Sequence, residues 1–577
     1  MRLSDIFTKF KDKVLKPFGS IISNPAVWVW IVPILMIIPN IGLTITESNS
    51  LLAKITNLIL PFGIYLLLCT LSRRIGRAIL WMIPLMVFAA FQIVLLFLYG
   101  ESIIAIDMFL NVMTTNFTEA TELLANLKSV IATVLIIYIP PIAAGIYFVC
   151  RHILLDEVKE LLFRRIALWI CAAGIVLLLL TCVFEQEFKP RRELFPYNVC
   201  ENLVSAIGRT YTSSHYDDTS AGFSYKPQAT HNDTVPEIYV IVIGETSRAA
   251  NWQLNGYGRQ TNPRLSQEPN LVSFGKALSE INTTHKSVPM LMSYLTAENF
   301  GEEVAKTKSI FSAFNELGYE TSFISNQRRN HSYIDFYGSE AKDVNFLTDA
   351  NGPQADSSLL QPFLVAISDK NRNKVFIILH TYGSHFEYNK RYPADMAYFK
   401  PDNNSSADPA NREQLINAYD NTIRYTDMTL ASIIDILRNS GRVAALIYTS
   451  DHGEDIFDDE RERFLHASPV ATYYQLHVPM IVWTSDRYNE LYPEKAISLR
   501  NNSNKDVSSS ASVFHTILDL AGITSPYYNR SLSLSSPDYH SPRRRYLNDY
   551  NESVDFNHAG FHNEDLNILN KLNISTN

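Results

Sequence analysis

The chain of 577 residues carries 50 lysine and arginine residues against 58 aspartate and glutamate residues, and 47% of its residues are hydrophobic. This length predicts more than one domain, and the net charge of −8 gives no reason to expect a nucleic-acid partner. The apolar residues are unevenly distributed. Long apolar runs dominate up to about residue 185, and the remainder has the composition of an ordinary soluble domain.

Five apolar runs are each long enough to cross a bilayer, which takes about 20 mostly apolar residues. They lie at Ala26–Ile45, Leu51–Leu71, Ala78–Tyr99, Val130–Cys150 and Ile166–Val183. Buried core helices of a soluble protein are the alternative interpretation, but five such runs with so few interior charges favour membrane spans. We therefore predict an α-helical transmembrane domain over residues 1–185.

Lysine and arginine in the short connections predict the orientation of these spans, because such residues stay on the cytoplasmic side. They cluster at the N-terminus, in the second connection and in the fourth, whereas the first connection has none. This places the N-terminus in the cytoplasm and everything after the fifth span outside. All five cysteines fall at or before Cys200, so the following 377 residues have none, which is compatible with an oxidising compartment.

Two segments outside the spans stand apart from the rest. The third connection, Glu101–Ser129, is long, and Asn111, Thr115 and Glu119 lie four residues apart within it, so a helix would place them on one face. Such a stripe suits an amine-bearing lipid headgroup, or it is simply a solvated helix face. Residues 186–236 are polar and irregular, and predict a linker along the membrane surface with one short helix near Asn202–Arg209.

The soluble half, residues 237–577, alternates short apolar runs with helical stretches, which predicts an α/β domain with a mostly parallel central sheet. The predicted helices are Ser309–Leu317, Ser357–Ser368, Glu413–Arg438 and Ala511–Ala521. The predicted strands are Ile238–Ile243, Tyr319–Ile324, Val375–Leu379, Ala444–Tyr448 and Val478–Trp483.

Residues that bind metals or carry protons follow three of these strands. Glu245 follows the first, the pair His380 and His385 follows another, and Asp451–His452 follows a third, while His477 precedes the last. Open α/β sheets place their sites at the carboxyl ends of strands. Each feature alone is as readily a helix cap or a polar turn, but together they predict a metal-dependent hydrolase or transferase of phosphate or sulfate esters. Thr283 and Thr284 offer a hydroxyl that metal coordination would activate.

These motifs, in this order behind five spans, resemble the phosphoethanolamine transferases, which are Gram-negative inner-membrane enzymes with an alkaline-phosphatase/sulfatase-like periplasmic domain. The matching segments are VIGETSRAANWQLNGYGRQTNPRL at Val242–Leu265, NTTHKSVPMLMS at Asn282–Ser293, LHTYGSH at Leu379–His385, YTSDHGED at Tyr448–Asp455, HVPMIVW at His477–Trp483 and FHTILDLAGI at Phe514–Ile523.

The resemblance implies one zinc held by Glu245, Thr284, Asp451 and His452, with Thr284 as the nucleophile because the family's threonine stands five residues before a proline, here Pro289. It also implies substrate-binding roles for Asn111, Thr115, Glu119, Asn326, His380, His385, His466 and His477. Some members carry an aspartate near Asn326 that helps to hold a second metal. The neutral side chains of Ser325, Asn326 and Gln327 argue against a second tightly bound zinc here.

The function implied is transfer of phosphoethanolamine from phosphatidylethanolamine to lipid A or the lipopolysaccharide core, through a phosphothreonine-type intermediate and with release of diacylglycerol. A monomer in the inner membrane, with its catalytic domain in the periplasm, is the expected form. Other readings stay open: another periplasmic glycan as acceptor, a glycerol-phosphate transferase, a membrane phosphodiesterase or sulfatase, or a non-enzymatic sensor. The segment from Thr284 to Pro289 lacks the C/S-x-P-x-R pattern of sulfatase nucleophiles.

Overall fold

The computed structural model of the protein describes residues 23–114, 127–231, 235–351, 354–369, 373–404 and 406–577. The chain divides into two compact units. One comprises Met1–Ala105 and Leu127–Ser205, and the other comprises Ile106–Asn126 and Ala206–Asn577. The first unit contains the apolar helices predicted from the sequence, and the second contains the predicted sheet.

Within the described residues, the first unit has four helices long and apolar enough to cross a membrane, or five when a bent pair is counted as one span. The four are Pro25–Thr46, Leu51–Thr70, Lys128–Cys150 and Glu157–Phe184, and the pair is Ile75–Trp81 with Ile83–Tyr99, bent by 48°. Each of the five predicted apolar runs coincides with one of these segments, so the predicted architecture of the membrane half is confirmed.

Prolines explain where the helices of the first unit are interrupted. Pro39 and Pro84 each stand two residues after a break, at Ile37 between Pro25–Met36 and Ile38–Thr46 and at Met82 between Ile75–Trp81 and Ile83–Tyr99. A proline ring supplies no N–H and clashes with the carbonyl four residues earlier, so the preceding helix bends or ends.

Small and polar residues hold the helices of the first unit together. A Cβ on Gly174 would lie 2.7 Å from Leu60 Cα, so the helices Leu51–Thr70 and Glu157–Phe184 approach closely at this glycine. Near their ends the Thr56 and Thr181 hydroxyls are 2.8 Å apart. Polar contacts of this kind satisfy hydrogen-bonding groups that have no water partner in a bilayer.

The linker is more helical than the sequence suggested. It contains Pro190–Glu193, Tyr197–Ser213 and Tyr216–Ser220, so the single short helix expected near Asn202–Arg209 is extended at both ends. Asn198 and Asn202 are buried and donate to the Ile104 carbonyl at 3.0 and 2.9 Å. Because these buried positions are polar, the apolar residues of the helix do not recur with the 3.6-residue period by which an amphipathic helix is recognised in a sequence.

The second unit is built on a seven-stranded sheet. In chain order its strands are β1 (Glu237–Gly244), β2 (Leu271–Ser273), β3 (Glu320–Ser325), β4 (Asp343–Phe346), β5 (Lys374–His380), β6 (Val443–Ser450) and β7 (Met480–Thr484). Their spatial order is β2-β7-β6-β1-β5-β3-β4. All neighbours pair in parallel except those of β7, which is antiparallel to both β6 and β2. The predicted mostly parallel sheet is confirmed.

Helices cover both faces of this sheet, as buried parallel strands require. Alternate residues of β1 point to opposite faces, and each face joins a separate hydrophobic cluster. The cluster that contains Tyr239 includes residues of Ile310–Glu316 and Ser509–Leu520. The cluster that contains Val240 includes residues of Leu360–Ser368 and Arg412–Asn439.

The remaining elements of the second unit are short. Its other α-helices are Ile106–Thr114, Thr284–Leu291, Phe300–Glu303, Tyr333–Gly338, Leu347–Asn351, Tyr473–Leu476, Asp486–Leu491, Pro493–Asn502 and Asn563–Lys571. Among the described residues it also has four two-stranded pairs: Gln228–Ala229 with Ile523–Thr524, Ala277–Leu278 with Val507–Ser508, Asp455–Ile456 with Phe464–Leu465, and Arg545–Leu547 with Ser553–Asp555.

Candidate active site

The candidate site lies at the edge of the sheet where β1, β5 and β6 end. The register pairs Ile243 with His380 and Gly244 with Ser450, so the three strands finish level with one another. Glu245 and Asp451 are the next residues after β1 and β6 and are both buried. Two carboxylates that are far apart in the chain are thereby delivered to one point, as the sequence predicted.

Tight turns keep the carboxylates in place. Thr246 has a φ of +57°, and from this position its backbone N–H donates to Asp451 Oδ1 at 3.1 Å while its hydroxyl donates to Glu245 Oε1 at 2.6 Å. Gly383, with a φ of +55°, passes so close that a Cβ there would lie 2.5 Å from the Glu245 carbonyl oxygen. Glycine is therefore required in the turn after β5.

Thr284 presents its hydroxyl to this cluster. It is the first residue of the helix Thr284–Leu291, with Thr283 as the N-cap. Thr284 Oγ1 lies 3.0 Å from His452 Nε2 and 3.4 and 3.5 Å from the two carboxylate oxygens of Glu245. The N-terminal end of a helix favours negative charge, so this position suits an oxygen that becomes anionic.

The His452 ring is oriented by its own backbone neighbour. Nδ1 lies 2.9 Å from the Gly453 carbonyl oxygen, and because a carbonyl only accepts, Nδ1 carries the proton. The lone pair of Nε2 then faces the cluster, 3.2 Å from Asp451 Oδ2 and 3.6 Å from Glu245 Oε1. A neutral histidine fixed in this tautomer is the form that binds a metal ion.

Burial and charge repulsion set the protonation of the two carboxyl groups. Burial, followed by the adjacent Glu245 carboxylate, raises the pKa of Asp451 to about 7. Burial also acts to raise the pKa of Glu245, but the charge that His452 and His385 carry when protonated, together with hydrogen bonds from Thr246 and Gln327, leaves that pKa below its usual value. Two buried carboxylates side by side make this a site where a cation is electrostatically favoured.

A group of ligand atoms at the site suits a small divalent ion. Glu245, His452 and His466 each offer one such atom, and all three atoms lie within 4.8 Å of one another. The His452 and His466 rings are 4.2 Å apart at their centroids. Carboxylate oxygen and imidazole nitrogen are the ligands that zinc takes in catalytic sites. The residues present therefore fit zinc. His466, for which a substrate-binding role was predicted, lies among the candidate metal ligands.

His380 and His385 lie in different surroundings although they share one turn. His385 is 6.3 Å from His466 between ring centroids, and its Nδ1 lies 2.7 Å from the Phe386 carbonyl oxygen, which leaves Nε2 available. His380 is fully buried, and burial lowers its pKa to about 4. It is therefore neutral at physiological pH, with the Ser325 hydroxyl 3.3 Å from its Nδ1.

Asn326 and His477 make contacts that hold the framework together. The Asn326 amide donates to Asp356 Oδ1 at 2.8 Å, and Asp356 in turn accepts the backbone N–H groups of Tyr382 and Gly383. In His477, Nδ1 lies 2.6 Å from the Tyr473 hydroxyl and Nε2 lies 2.9 Å from the Gly275 carbonyl oxygen. Both ring nitrogens of His477 are thus engaged by the scaffold.

Only one member of the predicted headgroup stripe lies within the described residues. Asn111 is in the helix Ile106–Thr114 and is partly buried, while Thr115 and Glu119 lie outside the described residues. The stripe on a single helix face stays a prediction.

Sequence reasoning missed a contact of Gln327. Its side-chain amide donates to Glu245 Oε2 at 2.9 Å and to the Thr381 carbonyl oxygen at 3.0 Å. The available signal was its position two residues past the end of β3, beside β5 in the sheet. From the sequence, the neutral side chain of Gln327 indicated only that this position lacks a carboxylate for a second zinc.

A family comparison agrees with this geometry. The model described as sulfatase matches residues 237–523. The α/β domain of this chain is therefore similar to the sulfatase family over that range. The matched region begins at the first residue of β1 and ends three residues after the helix Ser509–Leu520, so it contains every predicted metal ligand.

Relatives confirm the resemblance to the phosphoethanolamine transferases. The chain is 31% identical over 348 residues to the Kdo(2)-lipid A phosphoethanolamine 7''-transferase of Escherichia coli strain K12. The aligned region covers 56% of this chain and 59% of that protein. The chain therefore spans less than two thirds of this relative's length.

Solved structures extend the likeness to the fold. The integral membrane lipooligosaccharide phosphoethanolamine transferase A of Neisseria meningitidis matches with a TM-score of 0.70 and 22% identity, over 91% of this chain and 99% of that one. The C-terminal periplasmic domain of EptC from Escherichia coli, in complex with zinc, matches with a TM-score of 0.53 and 24% identity, over 59% of this chain and 98% of that one.

Proposed function

We propose that this protein transfers phosphoethanolamine from phosphatidylethanolamine to lipid A or the lipopolysaccharide core. The observation that carries the proposal is the Thr284 hydroxyl, held 3.0 Å from His452 Nε2 and 3.4 Å from Glu245 Oε1 at the end of a sulfatase-family sheet. Its similarity to the Escherichia coli lipid A phosphoethanolamine transferase supports the choice of group and acceptor.

Glu245, Thr284, Asp451 and His452 would hold one zinc ion. When bound, zinc supplies positive charge that lowers the pKa of the Thr284 hydroxyl and neutralises a phosphoryl oxygen. The buried carboxylates and the oriented Nε2 of His452 support this assignment, and a zinc complex is described for the EptC domain from Escherichia coli.

In the first half-reaction, the Thr284 hydroxyl gives its proton to the Glu245 carboxylate, 3.4 Å away, and its oxygen attacks phosphorus in line as the bond to the diacylglycerol oxygen breaks. A histidine, His385 or His466, protonates the departing oxygen and diacylglycerol leaves. Thr284 then carries phosphoethanolamine as a phosphodiester. In the second half-reaction, a phosphate or hydroxyl oxygen of the acceptor attacks the same phosphorus, and the threonine oxygen departs and regains its proton from Glu245. The histidine regains its proton from the acceptor hydroxyl, or from water when the acceptor is a phosphate.

The stripe of Asn111, Thr115 and Glu119 would bind the donor headgroup, with the Glu119 carboxylate paired to the ammonium. The protein would act as a monomer in the Gram-negative inner membrane, with its N-terminus in the cytoplasm and the catalytic domain in the periplasm. Adding a cationic amine to an anionic lipid surface weakens its electrostatic attraction for cationic peptides. Resistance to such peptides is the expected physiological result.

The test is a headgroup-release assay on the purified full-length protein, with phosphatidylethanolamine or phosphatidylglycerol as donor and lipid A as acceptor. We expect diacylglycerol from phosphatidylethanolamine alone, and a phosphoethanolamine-modified lipid A by mass spectrometry, both lost in Thr284→Ala. Diacylglycerol from phosphatidylglycerol would instead identify a glycerol-phosphate transferase. Headgroup release that never modifies an acceptor would identify a phosphodiesterase.

A further inference from the structure

We propose that Asp107 and Lys286 are a positioning pair that fixes the helix bearing Thr284 against the helix Ile106–Thr114. This role rests on the function proposed above. Lys286 is two residues after Thr284, and Asp107 is in the first turn of Ile106–Thr114, the helix that also carries Asn111. Both helices belong to the same compact unit.

The two side chains form a buried ion pair. Lys286 Nζ lies 2.5 Å from Asp107 Oδ2, and each residue is only 1% exposed. Lys286 Nζ also donates to the Asn548 carbonyl oxygen at 3.1 Å, in the segment that links Arg545–Leu547 to Ser553–Asp555. A lysine is seldom buried without a partner, so this one is committed to holding two segments on the nucleophile helix.

Asp107 is the centre of a larger group of charges. Its Oδ1 lies 3.3 Å from Arg209 Nη1 and 3.6 Å from His285 Nε2. Arg209 also donates to the Asp549 carbonyl oxygen at 3.0 Å. One carboxylate thus meets side chains from two other segments, the linker helix Tyr197–Ser213 and the nucleophile helix, and removing it would leave the cations Lys286 and Arg209 without this partner.

Positioning is the role that such a pair fulfils best. A buried ion pair adds little net stability over an apolar pair of similar volume, and its best-attested use is to fix the register of two elements. Thr284 is close to Glu245 and His452, and an error of about 1 Å in placing a reacting group costs about a hundredfold in rate. Since Thr284–Leu291 is only eight residues long, a shift at Lys286 reaches Thr284 directly.

The pair also fixes the position of the helix Ile106–Thr114, which carries Asn111, relative to the helix that carries Thr284. Asn111 is four residues after Asp107, so the two lie on one face of Ile106–Thr114. Fixing Asp107 to Lys286 therefore sets Asn111 at a constant distance from the nucleophile. Binding energy from the ethanolamine end is then directed to orienting the phosphorus at Thr284.

The experiment uses the full-length protein in detergent micelles that contain phosphatidylethanolamine, with diacylglycerol release and thermal unfolding as readouts. The variants are Asp107→Asn, Lys286→Met and the double variant. Lys306→Met is the matched control, because Lys306 is exposed and its ion pair with Glu303 is long, with 3.9 Å between Nζ and Oε1. We expect kcat to fall about tenfold to a hundredfold in each single variant, with a lowered Tm and no change in the control.

The double variant separates positioning from stability. It removes both charges of the pair but leaves Arg209 in place, so we expect its Tm to recover only part of the way to the wild-type value while its kcat stays as low as in the single variants. A double variant that regains wild-type kcat would overturn the proposal, because stability alone would then explain the pair. Single variants that lower the Tm with wild-type kcat would overturn it too.

Hydrogen exchange of the amides in residues 106–114 tests the pair without any turnover. We expect faster exchange there in Lys286→Met than in the wild type and in Lys306→Met. If the wild type releases no diacylglycerol but this exchange difference is found, the anchoring by the pair stands and the proposed function fails. If exchange is unchanged in Lys286→Met, the positioning pair is refuted whatever the activity.

Discussion

His452 and His477 are both buried and both lie at the same edge of the sheet, yet their surroundings differ. His452 comes two residues after β6 ends, and His477 comes three residues before β7 begins. Because β7 runs antiparallel to β6, its start lies at the edge where β6 finishes. The His452 ring gives one nitrogen to Gly453 and turns the other towards Thr284, whereas Tyr473 and Gly275 engage both nitrogens of His477.

The role proposed for His452 and the structural role proposed for His477 follow from this difference. A position at a strand end brings a histidine ring near the site. To bind a metal ion or transfer a proton, the ring also needs one nitrogen that is not hydrogen-bonded to the surrounding framework. His385 meets that condition as His452 does, since its Nδ1 lies on the Phe386 carbonyl oxygen and its Nε2 remains. The comparison leads to four predictions, in order of decreasing effect.

The first prediction contrasts the two histidines directly. His452→Ala removes a proposed zinc ligand, so we expect bound zinc to be lost and phosphoethanolamine transfer to fall about a thousandfold, beyond the tenfold to hundredfold cost of losing an outer contact. His477→Ala should keep its zinc and most of its transfer rate per folded molecule. Elemental analysis and diacylglycerol release provide both readouts. Loss of zinc in His477→Ala would contradict the proposal that His452 binds the metal ion and His477 does not.

The second prediction concerns His466, whose ring lies 4.2 Å from that of His452. If His466 protonates the departing oxygen, His466→Gln should lower kcat about a hundredfold and keep its zinc. The defect should shrink on a nitrophenyl phosphodiester, whose leaving group needs no proton. Loss of zinc in this variant would instead make His466 a metal ligand, as its place beside Glu245 and His452 allows.

The third prediction concerns Gln327, which donates to Glu245 Oε2. Gln327→Leu removes the contact that orients this carboxylate, and we expect zinc affinity to weaken about tenfold, at the low end of such outer contacts. Competition with a zinc chelator measures this affinity. Asn326→Leu is the neighbouring control, because Asn326 contacts Asp356 and not Glu245. Equal loss in both variants would contradict a specific role for Gln327.

The fourth prediction concerns pH. Burial lowers the pKa of His477 to about 4 from its usual 6.5, so protonation favours the unfolded chain. This stability is complete above pH 6.5 and is lost as the pH falls towards 4, by up to about 3 kcal/mol. The nearby charge of Arg544 also acts to lower the pKa of His477, whereas the hydrogen bond to the Gly275 carbonyl acts to raise it and is outweighed by burial. His477→Gln should therefore show a shallower fall of Tm over this range. An unchanged slope would contradict the assignment.

Much of the fold was predictable because its signals are local. Apolar runs of about 20 residues located the spans, and β-branched runs such as IYVIVI located the buried strands. The interruptions at Met82 and Ile37 follow from Pro84 and Pro39, which stand two residues after them. The linker helix was underestimated because Asn198 and Asn202 face inward to bind the Ile104 carbonyl.

The site was predictable in part for the same reason. Strand ends delivered Glu245 and Asp451 to one edge, and the structure does bring them together with Thr284 and His452. The contacts of Gln327 and the pairing of Asp107 with Lys286 were not predictable, because they join segments 82 and 179 residues apart in the chain. Nothing local in the sequence states which distant partner such a side chain meets.

Thr284 as the nucleophile is the central feature of the proposed transfer reaction. The decisive measurement is the intact mass of the full-length protein, quenched in acid after incubation with phosphatidylethanolamine in the absence of acceptor, followed by peptide mapping. We predict one phosphoethanolamine adduct on the peptide that contains Thr284, and no adduct in Thr284→Ala. No adduct on a wild-type protein that is releasing diacylglycerol, or an adduct that persists in Thr284→Ala, would contradict the account.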